Sequence, residues 1–69
     1  MTEGEAIDRL IHAISRRHAN WSEMSETRMH LMNRAVDSCM KDCIDGGYGF
    51  EAIAAIRKWE AEHVPSVHT

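Results

Sequence analysis

The chain has 69 residues, 43% apolar and 28% charged, with one proline, four glycines, two cysteines and a formal net charge of −3. Such a length holds one domain and leaves little room for both a core and an enclosed reaction site, since domains near this size bury only about 60% of the surface their unfolded chains expose. The apolar content excludes disorder throughout. The mild acidity argues against a dedicated nucleic-acid binder, which carries a basic excess or stripe.

The opening Met1-Thr2-Glu3-Gly4-Glu5 is polar and acidic, unlike the basic start and apolar run of a signal peptide. The longest apolar run, Ala52 to Ile56, falls far short of the ~20 residues that span a bilayer. A cytoplasmic protein that does not engage a membrane is expected, with Cys39 and Cys43 as reduced thiols.

The first predicted helix covers about 3–18. Thr2 and Glu5 have capping-box spacing. Ile7, Leu10, Ile11 and Ile14 follow at i, i+3, i+4 and i+7 and mark one buried face, which His18 extends while His12 falls opposite. Acidic residues open the segment and Arg16-Arg17-His18 close it, complementing the helix dipole at both ends.

The second helix is predicted over about 23–44. Asn20 and Glu23 repeat the capping-box spacing, with Ser22 and Ser25 as rival N-caps. Met29, Met32, Val36, Cys39, Met40 and Cys43 form its main stripe, close to an a/d pattern. Asp45-Gly46-Gly47 ends it, because glycine readily takes the left-handed C-cap conformation. Leu31 and Ala35 project to one side, with Met24 and Arg28. They form either a second buried edge or a face for a partner or a second copy.

The third helix is predicted over about 50–63. Ala52, Ile56, Trp59 and His63 share a face, with Ile53 and Ala55 beside it, and the two alanines allow close helix approach. Phe50 projects away and is expected, with Tyr48, to staple the start of the helix. The chain then reads as a single helical domain over 1–64 with a flexible tail over 65–69. The expected class is all-α: a small three-helix bundle, or a helical hairpin plus a third helix, with a long central helix.

No complete catalytic, metal or nucleotide motif is present, and an enzyme acting alone is not expected. Cys39 and Cys43 lie one turn apart, a spacing that can put two ligands on one metal, but a structural zinc needs four. Within a Met- and Val-rich stripe, free cysteine behaves as a small apolar residue. They are weak metal candidates only, and no cofactor is expected. Gly46-Gly47-Tyr48-Gly49 lacks the spacing and preceding strand of a phosphate cradle. His18 and His63 are expected as half-buried boundary residues whose meeting would make stability pH-sensitive.

The expected function is a small non-enzymatic helical module that binds another protein and regulates or inhibits it, in the manner of small bacterial and phage regulators. Candidate partner-facing residues are Trp21, Met24, Arg28, Leu31, Ala35, Tyr48 and Trp59, because aromatic anchors dominate binding hot spots and methionine adapts to varied surfaces. A homodimer is compatible with so small a core. Two alternatives stand: a dimeric nucleic-acid-associated regulator using Arg9, Arg16, Arg28 and Arg34, and a metal- or thiol-dependent switch on Cys39 and Cys43.

Overall fold

A computed structural model describes residues 2–23 and 25–64. It is all-α: α1 (Glu3–Ala19), a single 3-10 turn (Trp21–Glu23), α2 (Glu26–Asp45) and α3 (Gly49–His63). Local hydrogen bonds account for each boundary. The Thr2 hydroxyl accepts from the Glu5 amide at 3.2 Å, and Glu3 and Glu5 sit where the dipole favours negative charge. At the other end of α1, the Asn20 side-chain amide donates to the Arg16 carbonyl at 2.8 Å.

Asn20 therefore closes α1 and does not open α2. The expected start at residue 23 is corrected to Glu26, with Ser25 as N-cap accepting from the Arg28 amide at 3.2 Å. The cap requires extended backbone, and Ser25 has it at φ −68°, ψ 162°. Trp21–Glu23 form the 3-10 turn instead.

Two glycines end α2 in a Schellman arrangement. The Tyr48 amide donates to the Cys43 carbonyl at 2.7 Å and the Gly47 amide to the Ile44 carbonyl at 3.0 Å. Gly47 supplies the left-handed residue at φ +86°, whereas Gly46 stays right-handed at φ −82°. Gly46 is needed for another reason: a Cβ there would stand 2.7 Å from the Tyr48 ring.

The helices run up, down, up. Arg17 of α1 bonds Asn33 of α2 at one end, and at the other Ala6, Asp42 and Tyr48 border one hollow, so α1 and α2 are antiparallel. Trp59 of α3 meets His18 of α1, which sets α3 alongside α1 in the same direction. The core is Ala6, Leu10 and Ile14 from α1, Cys43 from α2, and Ala52 and Trp59 from α3. Ile7, Ile11, Val36, Cys39, Met40, Tyr48 and Ile56 pack around it partly buried.

The α1 stripe and the later part of the main α2 stripe, Val36, Cys39, Met40 and Cys43, thus face inward as their spacing predicts, whereas Met29 and Met32 border open hollows. Fully buried Ala52 lets α3 close on the pair. The radius of gyration is 12.7 Å, against ~11 Å for an average compact chain of this length. The extents, 34 × 33 × 14 Å, describe a slab two helix layers thick. Among the described residues, Trp21, Leu31, Ile44 and Phe50 stay more than half exposed on its surface.

Three sequence expectations are corrected by this geometry. Phe50 is 88% exposed and staples nothing. Leu31, 59% exposed, and Ala35, also exposed, are not a second buried edge within one chain, because the two neighbouring helices both lie on the Cys43 side of α2. His18 and His63 are exposed and not half-buried, although both rings reach Trp59. Met24 and the tail over 65–69 lie outside the described residues.

Candidate interaction surfaces

Helix α3 is apolar on two opposite sides. Ala52, Ile56 and Trp59 face the core. Roughly 150° away around the helix, at 100° per residue, Phe50, Ile53, Ala54 and Ala61 form a second stripe about 17 Å long. Every member is exposed, with Phe50 at 88% and Ile53 at 42%. Arg57 lies within it and is its one charged residue.

Ile44, 57% exposed at the end of α2, adds to the upper end of this stripe. With Gly47, Gly49, Phe50 and Ile53 it borders a shallow hollow of about 340 Å³. A surface helix ordinarily shows one apolar face, and one that is apolar on both sides is ordinarily covered on both. The i, i+3, i+4, i+7, i+11 spacing from Phe50 to Ala61 is legible in the sequence.

A second exposed surface lies on α2, where Arg28, Leu31, Met32 and Ala35 border a hollow of about 190 Å³. Three of the expected partner-facing residues, Arg28, Leu31 and Ala35, are therefore brought together on one open face.

A third feature is a groove of about 440 Å³ at the end where α1 and α3 finish and α2 begins. Trp21 lines it and is 62% exposed. The Arg17 guanidinium donates to the Asn33 side-chain oxygen at 3.0 Å along its wall. Trp59 lines the same groove but is only 8% exposed, so this expected anchor belongs mainly to the core. Tyr48, half-buried against the core, likewise faces inward.

His18 meets the Trp59 ring edge-on, with centroids 5.4 Å apart, and His63 stacks on it at 4.7 Å and 12°. The His63 Nδ1 lies 3.0 Å from the Trp59 carbonyl oxygen. A carbonyl only accepts, so Nδ1 carries the proton. Among the described residues, the groove lining contains no thiol or hydroxyl for a base to activate, and the Arg17 guanidinium is engaged by Asn33.

The two cysteines differ. Cys43 is fully buried, and burial, then the neighbouring Cys39, then Asp42 push its thiol pKa above the ordinary 9.0. That is the behaviour of an apolar core residue, not of an activated nucleophile. Cys39 is half-buried and borders a hollow of about 370 Å³ with Asp8, Arg9, His12 and Ala13. The α1–α2 packing creates this juxtaposition, and no sequence spacing announces it. Among the described residues, no group of three or more His, Cys, Asp and Glu side chains is placed to hold a metal.

Arg9 and Arg28, two of the cations in the nucleic-acid reading, border separate hollows on different helices. Among the described residues, no helix is long and apolar enough to cross a membrane. No family model, curated protein or solved structure matches the chain.

Proposed function

We propose that this protein is a helical binding module that docks another protein on the outer face of α3 and regulates or inhibits it by occupying that surface. The observation that carries the reading is the second apolar stripe, with Phe50 88% and Ile53 42% exposed. The core uses one side of α3 and leaves four apolar residues, Phe50, Ile53, Ala54 and Ala61, on the opposite side in water. Covering them releases that surface from solvent at ~25 cal/mol per Å².

The complementary shape is an amphipathic helix laid along the stripe, presenting aliphatic side chains and a carboxylate near its middle to meet Arg57. A second copy of α3 suits the stripe poorly. Antiparallel pairing about its middle would bring the two Arg57 side chains within one helical turn of each other. The face is thus suited to a partner of different sequence.

The test uses tagged wild-type protein and the Phe50→Glu/Ile53→Glu double variant as bait, with cross-linking before recovery. The reading expects a stoichiometric protein cross-linked to α3 of the wild type and lost from the variant, whose helical circular dichroism is unchanged. Equal recovery of the same protein by both baits would remove α3 as the docking face.

A further inference from the structure

We infer that a second copy of this chain docks antiparallel on the exposed face of α2, through a stripe symmetric about Ala35. This surface is separate from the outer face of α3, so the inference stands or falls independently of the function proposed above.

The stripe is Arg28, Leu31, Met32, Ala35, Ser38, Cys39 and Asp42, of which Met32 and Cys39 are half-buried and the other five exposed. Leu31 and Ala35, one turn apart at its centre, are its exposed apolar members. Arg28 lies seven residues before Ala35 and Asp42 seven residues after it, so the two opposite charges sit about 10 Å to either side of a small central residue.

A twofold axis through Ala35 pairs each residue with the one equally far on the other side of it. Ala35 meets the partner's Ala35, and with no side chain beyond Cβ the helices can approach to the short end of the ~8–10 Å packing range. Arg28 falls opposite the partner's Asp42, and the symmetry repeats the pair at the other end. Leu31, 59% exposed in one chain, falls opposite the partner's half-buried Cys39, and Met32 opposite the partner's Ser38.

The charges also decide direction. Parallel helices would set Arg28 beside Arg28 and Asp42 beside Asp42, and the two helix dipoles would repel. Antiparallel helices reverse both terms. Among the described residues, no side-chain hydrogen bond engages the Arg28 guanidinium or the Asp42 carboxylate.

The test is sedimentation equilibrium of the full chain, reduced, at low and at physiological salt. The wild type is expected to dimerise reversibly and more weakly as salt screens the two ion pairs. Arg28→Asp and Asp42→Arg should each weaken the dimer about tenfold or more, because each sets like charges opposite one another twice. The Arg28→Asp/Asp42→Arg double variant should regain the wild-type constant. That recovery separates a broken interface from a misfolded chain.

Leu31→Glu should leave only monomer, and Phe50→Glu should leave the dimer unchanged. A wild type still monomeric at several hundred micromolar overturns the inference. So does a dimer that Phe50→Glu disrupts and Arg28→Asp does not touch, since association would then run through α3.

Discussion

Replacing Phe50 with Glu should leave the fold intact although a large aromatic residue is lost. Full burial of a Phe side chain is worth about 1.5–3 kcal/mol. Phe50 is 88% exposed, so folding removes only about a tenth of it from water, and its contribution is ~0.2–0.4 kcal/mol. The position is in the first turn of α3, where a carboxylate complements the helix dipole by ~0.3–1 kcal/mol. The two terms nearly cancel, and at about 1 kcal/mol per molar urea the midpoint should move by less than ~0.5 M.

Leu10→Ala is the contrasting perturbation, because Leu10 is fully buried where α1 meets the other helices. Buried leucine-to-alanine changes cost about 2.7–5.0 kcal/mol. A core in this size range supplies only about 3–5 kcal/mol in total, so this variant should be largely unfolded in buffer. Urea titrations followed by helical circular dichroism at one low protein concentration compare the two directly. A Phe50→Glu midpoint falling towards that of Leu10→Ala would refute the reasoning, because Phe50 would then be packed in solution.

Other consequences follow from the cap and the thiols. Gly47→Ala should destabilise the fold by about 1–2 kcal/mol in the same titration, since φ +86° is left-handed and a Cβ is penalised there even with open space around it. Under native conditions an alkylating reagent should modify Cys39 first. Cys43, fully buried with its thiolate disfavoured, should react only on unfolding, and mass spectrometry after timed quenching reads the order.

Because the Cys43 pKa is raised on folding, the folded state holds this proton more tightly than the unfolded state. Its stabilising contribution is present in full below the unfolded value of about 9.0 and is lost as pH rises through the higher folded value. Wild type should therefore lose more stability between pH 8 and pH 10 than Cys43→Ala. Equal losses would show that Cys43 does not titrate differently in the two states.

Sequence alone determined the helices, because their signals are local. Thr2 caps through an amide three residues away, Gly47 through a dihedral of its own, and Leu10 and Ile14 share a face by spacing within one helix. The competition among Asn20, Ser22 and Ser25 was less legible, since all three can cap. Asn20 was taken by the Arg16 carbonyl and Ser25 opened α2.

Which apolar residues stay in water was decided only by the tertiary arrangement. Leu31 and Phe50 carry the same hydrophobic signal as core residues, but burial depends on whether another helix lies over them, and three helices in a slab 14 Å thick leave both more than half exposed. The hollow that joins Cys39 to His12 and the contact of His18 and His63 with Trp59 arise in the same way. Periodicity says which side of a helix is apolar; only the packing of helices on one another says which of those sides is left open.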